Sequence, residues 1–432
     1  MTLLANVLVI AQGAQGLFGS AHGAAATLTI DVVVYPPYSM QIVGSAPAGV
    51  ATLGQVVFGN GRQFFVPGTA VDGGPITSVL TNPALPSGQL AVWGTVPPAI
   101  QAYGIGATNL SVNDLGNVFL VTPFGGLLTD PSSPGQNLER FGVAPGNGDL
   151  YQLSCSFGPN GELIVGGNGG ILSDPPVRGG VLSILASAPN GFSSGGPTTS
   201  PQGDVYVSDT ASAGPGFTVL THPSTAGGAL AIFGTSPLSV GLIVSGQPAF
   251  AFGRRRTVFT VGVVNNTGVV LTNPTVAGGG LQVFGVAPPS ILLFPNPVVA
   301  KNDDLYVLGI PATAVYTNPV SLGGRMTTFG LAPAGYALIL HRDHAVSPLS
   351  PLGELYIHGY DPGTGAYAIF TDPSAPGGEL TPVAVFHNTT SLSYPSVNGS
   401  GAVFVAVGAA DGTLTVLAFR RPHARHIPFA KR

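Results

Sequence analysis

The sequence predicts an all-β protein built from repeats of about 48 residues, and three observations carry that expectation. Gly (64) and Pro (40) make up about a quarter of the 432 residues, and they cost roughly 1 and 3 kcal/mol per helix-interior position relative to Ala, which disfavours a mostly helical chain. Hydrophobic residues reach 44% against a formal net charge of only -4, the opposite of the composition that keeps a chain disordered. The third observation is a turn motif that recurs through most of the chain.

The motif reads VLTNPALPSGQLAVWGTVP from Val79, and its later copies start at Leu127, Ile171, Val219, Val270, Val315 and Ile369. Its marker prolines, Pro83, Pro131, Pro175, Pro223, Pro274, Pro319 and Pro373, are spaced by 48, 44, 48, 51, 45 and 54 residues. Two apolar residues end a strand; Thr and Asn or Asp then accept backbone hydrogen bonds in an expected Asx turn, and Pro fixes φ and removes a donor. A Gly-Gly pair supplies positive φ before the next strand. In that strand Leu90, Leu138, Leu182, Leu230, Leu281, Met326 and Leu380 recur as expected core positions, and a bulky residue such as Trp93, Phe141, Phe233, Phe284 or Phe329 follows, mostly ahead of a Gly.

A second motif precedes the first in most copies. Segments such as NDLGNVFLV, SPQGDVYVS and SPLGELYIH lead from a Gly or Asp turn into alternating apolar residues that include Phe119, Ile164, Tyr206, Tyr306 and Tyr356, a hairpin signal. With room for one more strand per repeat, the unit is four short strands, the length and strand number of a β-propeller blade. The segments SPQGDVYVSDT and SPLGELYIH resemble the strand starts of NHL-repeat and gluconolactonase-like β-propellers. That resemblance implies the fold and covers about a dozen residues in each of five or six repeats. Gluconolactonase-like enzymes hold a divalent metal with Glu, Asn and Asp side chains, and no matching ligand set is found here. The resemblance therefore implies no activity, cofactor or metal site for this chain.

The ends set the blade number. MQIVGSAPAGV from Met40 aligns with MTTFGLAPAGY from Met326, so a degenerate copy precedes the seven, with Tyr35-Pro36-Pro37 replacing the usual turn. VNGSGAVFVAVG and DGTLTVLAF supply further strands after the last copy. The expectation is a single propeller over 1–422 with eight four-stranded blades and a composite closing blade, seven blades being the alternative. The blades fall near 1–47, 48–97, 98–145, 146–189, 190–237, 238–288, 289–333 and 334–386, with closing strands over 387–422 and a basic tail over 423–432. The apolar start ANVLVIAQ is read as a strand, since it lacks the basic segment that precedes the apolar core of a signal peptide. Apolar runs fall short of the ~20 residues of a spanning helix. One cysteine, Cys155, excludes an intramolecular disulfide.

Charge is scarce, 7% of residues against roughly 25% in an average soluble domain, so each candidate group can be weighed. Asp130, Asp174 and Asp372 precede marker prolines, and Glu162, Asp204, Asp304 and Glu354 sit at hairpin turns. Capping accounts for these acids, and the rival reading is a ring of carboxylates binding cations. LILHRDHAV offers His341 as a base and Asp343 as a polar-site partner, although on a strand His344 faces the other way. GFSSG at Gly191 matches a nucleophile pattern that 64 glycines produce by composition alone, without its strand-turn-helix context. Eight of the 14 basic residues form two groups: Arg254, Arg255 and Arg256, and the tail residues Arg420, Arg421, Arg425, Lys431 and Arg432. These are the candidate partner-binding residues, suited to phosphate or carboxylate groups.

The functional expectation is a non-enzymatic structural or interaction propeller, a component of a virus-like particle or an extracellular layer, meeting copies of itself or other protein subunits. Nearly neutral Ser, Thr, Asn and Gly surfaces bury with little desolvation cost. A carbohydrate-binding or lactonase-like site at the central channel is one alternative, and a scaffold contacting an acidic partner or nucleic acid through the basic tail is another. No cofactor is expected, and extracellular or particle-associated localisation is favoured.

Overall fold

The computed structural model describes residues 30–421 except for 60–62, 71–73, 101–109, 123–124, 149, 151–154, 168–169, 188–195, 209–216, 223–226, 238, 242–249, 296, 312 and 339–348. Those residues form eight antiparallel sheets. Seven follow in chain order over 52–95, 110–143, 156–187, 198–235, 251–286, 292–331 and 337–387, and the eighth, here the closing sheet, spans 389–420. The second sheet shows the pattern: Leu110–Val112, Val118–Val121, Gly126–Thr129 and Glu139–Val143 meander in order. All four residues of its second strand are buried, whereas its fourth strand buries one of five. Core thus lies on the middle strands, and the fourth is the exposed edge. Among the described residues no helix is long and apolar enough to cross a membrane.

The Thr-Asx-Pro turn works differently from the local Asx turn expected. The Oδ1 atoms of Asn82, Asp130, Asp174, Asn273, Asn318 and Asp372 accept from the backbone N–H of Phe64, Val118, Leu163, Val258, Leu305 and Leu355 at 2.6–3.1 Å. Those donors are 11 to 18 residues upstream, at or beside the start of the second strand. The preceding Thr81, Thr129 and Thr221 donate to the carbonyls of Phe64, Val118 and Val205 at 2.7, 2.9 and 3.0 Å. The motif therefore hooks the end of the third strand onto the start of the second, because the antiparallel register brings them side by side. The first glycine after the turn is left-handed, φ being 74° to 86° at Gly135, Gly179, Gly227, Gly278, Gly323 and Gly377, all but Gly135 beginning a Gly-Gly pair.

The aromatic and glycine of the motif have separate jobs. Trp93, Phe141, Phe233, Phe284 and Phe329 pack edge-on against Phe65, Phe119, Tyr206, Phe259 and Tyr306, with ring centroids 4.7–5.5 Å apart, a geometry favoured by the ring quadrupole. The following glycine receives the next repeat's core residue. A Cβ on Gly94, Gly142, Gly234, Gly285 or Gly330 would lie 2.6–2.8 Å from Leu138, Leu182, Leu281, Met326 or Leu380. Gly44 faces Leu90 in the same way at 2.8 Å, which aligns Ser39–Ser45 with the fourth strands of the later copies.

Each sheet packs on the next through its own buried cluster. Phe65, Ile76 and Val79 of the first sheet meet Leu110, Leu120 and Leu128 of the second, and equivalent clusters join every successive pair. The seventh sheet meets the closing sheet through Tyr356, Ile369, Val383 and Phe386 against Val403, Val405, Leu417 and Phe419. The closing sheet meets the first through Phe404, Val416 and Ala418 against Leu53, Phe64 and Leu80. The order is cyclic, which is the β-propeller arrangement. Both ends of the described chain take part: Ser39–Ser45 pairs with Leu414–Arg420 inside the closing sheet, while Asp31–Val34 adds a fifth strand to the seventh sheet beside Leu380–His387. The described part of the stretch 1–47 is thus divided between two sheets, since Asp31–Val34 pairs with a strand edge that would otherwise be left open.

Candidate functional site

In a four-stranded meander the turns joining strands one to two and three to four come out at the same end of the sheet. Neighbouring sheets bring these turns together: Asn113 Nδ2 donates to the Gly161 carbonyl at 3.2 Å, the Arg254 N–H to Asp303 Oδ1 at 2.7 Å, and Arg178 Nη2 to the Asp130 carbonyl at 3.1 Å. They form one face of the ring. Among the described residues, seven of the eleven exposed large hydrophobics are tips of these turns: Leu85, Leu115, Val177, Val276, Val320, Leu322 and Leu352. Val320 is 92% exposed. Arg178, Arg254, Arg255, Arg256, Lys301, Arg420 and Arg421 lie at the same end. The surface is therefore not evenly neutral, because the turns that cap the strands also carry much of the charge.

Most acids on this face are engaged within the fold. Asp130 also accepts from Trp93 Nε1 at 3.1 Å, and burial raises its pKa although the Val118 N–H and Trp93 oppose the shift. Burial pushes Asp372 up to about 6, the charge of Glu354 adding to the rise and the Leu355 N–H opposing it. Asn318 Nδ2 donates to Asp304 Oδ1 at 3.1 Å, and Asn160 Nδ2 to Glu162 Oε1 at 2.8 Å. In the fourth repeat His222 replaces the capping residue, its Nε2 lying 3.9 Å from Asp204 Oδ1. Among the described residues there is no group of three or more His, Cys, Asp or Glu able to hold a metal ion.

The candidate basic residues separate. Arg254, Arg255 and Arg256 are exposed on the turn between Ala251–Phe252 and Val258–Val264, where Arg256 has a φ of 57° and its carbonyl accepts from Asn273 Nδ2 at 3.1 Å. Arg421 is drawn inward: its Nη1 lies 2.6 Å from Glu354 Oε1, and Glu354 Oε2 accepts from Tyr356 Oη at 3.0 Å. The Tyr38 and Tyr356 hydroxyls are 3.3 Å apart, and burial raises the pKa of both. This cluster joins the seventh sheet, the segment before Ser39–Ser45 and the end of the closing sheet, so it belongs to ring closure. Arg420 remains exposed beside it. Arg425, Lys431, Arg432, His341 and Asp343 lie outside the described residues.

Beside Arg420 a cleft of about 770 Å³ opens between the closing sheet and the first sheet. Its walls include Gln41, Asn82, Pro83, Asn398, Ser400, Arg420 and Arg421, with Phe64 and Phe404 beneath. The sequence reading missed this cleft because its walls come from three distant stretches of chain. It also missed His358, which is 3% exposed, has the Tyr367 ring tilted against it at 5.5 Å and the Tyr394 ring edge-on at 5.7 Å, and has no hydrogen-bond partner for either ring nitrogen among the described residues. Burial pulls its pKa down to about 3. The available signal was positional: Val121, Val261 and Leu308 occupy the equivalent place two residues after Phe119, Phe259 and Tyr306.

No protein-family model matches this chain, and no curated protein matches it. Among solved structures, it is similar to virginiamycin B lyase from Staphylococcus aureus at 10% identity and a TM-score of 0.44, covering 71% of this chain and 93% of that one. It is similar to YCF48 bound to D1 peptide at 12% identity and a TM-score of 0.44, covering 82% and 95% of the two chains. Puromycin hydrolase is a third, at 12% identity and a TM-score of 0.44, covering 89% of this chain and 55% of that one. These neighbours include enzymes and a peptide binder.

Proposed function

We propose that this chain is a non-enzymatic structural or interaction propeller, one domain over 1–422 whose eight sheets are its blades, followed by a basic tail over 423–432. It serves as a component of a larger assembly and meets protein partners, other subunits or its own copies, through the turn face. The observation that carries this reading is the set of aliphatic tips on that face. Leu85, Leu115, Val177, Val276, Val320 and Leu352 are exposed on turns of six different sheets, where nothing in strand pairing asks for an aliphatic side chain, and their recurrence at one end of the ring supports a contact face there. Asp130, Asp174 and Asp372 among the acids of this face cap backbone N–H groups, and Glu354 pairs with Arg421, which lowers the desolvation cost of covering them.

Electron microscopy of material isolated from its source tests the reading. Rings packed through the turn face in a layer, filament or particle are the expected result, and dispersed single rings overturn it. Chelator-sensitive turnover of a lactone or sugar ester would support the channel-site alternative instead. Salt-sensitive nucleic-acid binding lost on removing residues 420–432 would support the tail alternative.

A further inference from the structure

Seven repeats end their third strand in Thr (Ser173 in the third), then Asn, Asp or His, then Pro. The closing sheet does not. Val403 pairs with Phe419 and Phe404 with Ala418, so the register sets Ala418 and Phe419 where the other repeats carry Thr and the capping residue. Phe419 is fully buried, and the strand runs on to Arg420. The fourth strand of this sheet is Ser39–Ser45, from the other end of the described chain. The cleft opens at this one break in the repeat.

Its chemistry is specific. The Arg421 guanidinium is neutralised by Glu354 at 2.6 Å, whereas that of Arg420 has no ion pair among the described residues. Around Arg420 stand the neutral hydrogen-bonding groups of Gln41, Asn398 and Ser400. The Asn398 side-chain Oδ1 accepts from the Ser400 N–H and hydroxyl and from the Ala402 N–H, which fixes this wall in place. Phe404 forms part of the floor, held edge-on by Phe58 at 5.0 Å. Among the described residues no acid lines the cleft.

We infer that the cleft is a binding site for a small carboxylate-bearing ligand, with the Arg420 guanidinium as its anion partner and the neutral side chains as hydrogen-bonding partners for the rest of the molecule. Its volume lies within the range of roughly 300–1,000 Å³ typical of small-molecule sites, and guanidinium matches a carboxylate through two parallel N–H···O bonds. The inference is independent of the turn-face reading and stands or falls separately.

Calorimetric titration of the full chain tests it, with digalacturonic acid as a sugar acid and N-acetyl-Gly-Ala as a peptide acid, each beside its methyl ester. At least one acid should bind, and its ester should bind more weakly by about tenfold to a hundredfold, the worth of a charged hydrogen bond. Which acid binds identifies the source of the carboxylate. Arg420→Gln should reproduce the ester's loss, Arg420→Lys should recover part of it, and Arg140→Gln on the exposed strand Glu139–Val143 should change nothing. Equal binding of acid and ester overturns the proposal, as does equal loss in Arg140→Gln, or no binding of either acid at millimolar concentration. Circular dichroism of each variant separates a lost contact from a lost fold.

Discussion

Asp130 shows how a carboxylate can be conscripted for structure. Its Oδ1 takes both the Val118 N–H and the indole N–H of Trp93 at 3.1 Å, and Asn82, Asn273 and Asn318 do the first of these jobs without a charge. Asp130→Asn should therefore leave stability within about 0.5 kcal/mol, whereas Asp130→Ala, which orphans the two donors, should cost about 1–3 kcal/mol. Urea unfolding followed by the fluorescence of Trp93, the one tryptophan, reads both. A loss on Asp130→Asn as large as on Asp130→Ala would mean that the charge itself matters, as in a cation-binding ring. The same scale explains what sequence reading reached. The capping residue and its proline are adjacent in sequence and repeat, so their role in a turn was legible; their true partner is 11 to 18 residues upstream and emerges only from register.

At the scale of the strand, the buried His358 and the half-buried Asp372 of the seventh sheet pull stability in opposite directions with pH. His358 sits on Tyr356–Asp361 with its folded pKa pulled down to about 3 by burial. A depressed histidine stabilises the fold fully above its unfolded value near 6.5, and that contribution is lost as pH falls toward 3. Asp372, on Ala366–Pro373, has a folded pKa raised to about 6. Its contribution is complete below its unfolded value near 3.8 and is lost as pH rises through 6. Between pH 4 and 6 the two slopes, each at most about 1.4 kcal/mol per pH unit, oppose each other. His358→Leu should make the protein progressively more stable than wild type as pH drops, and Asp372→Asn as pH rises. Thermal melts across that window test both, and parallel curves for wild type and either variant would refute the assignment for that residue. Strand order in the repeats was legible from the period; the histidine was not, because a single departure from an apolar series has no period to reveal it.

For the whole molecule, closure is the property on which the rest depends, and it was only partly legible. The alignment of Met40 with Met326 placed a fourth-strand copy near the start of the chain, but nothing local distinguishes a strand that completes a sheet from one that extends another. Asp31–Val34 and Ser39–Ser45 differ in this way, and the two roles predict different consequences of removal. Deleting residues 1–38 takes away the added strand and the buried Ile30 and Val32, with the closing sheet left at full strand number; each of those side chains is worth about 1.5–3 kcal/mol when buried. The shortened chain should keep the full chain's state of association and melt at a lower temperature. Deleting residues 1–46 removes the partner of Leu414–Arg420 and uncovers its hydrogen-bonding edge. An open edge of that kind pairs with whatever strand is offered, so this chain should associate beyond the full chain at micromolar concentration, and a synthetic peptide of residues 38–47 should reverse the added association by filling the vacant place. Light scattering with and without the peptide, against the full chain, together with hydrogen exchange at Leu414–Arg420, reads the result. If the 1–46 deletion associates no more than the full chain and protects those amides without the peptide, closure does not depend on Ser39–Ser45, and the ring is held by side-chain packing between sheets alone.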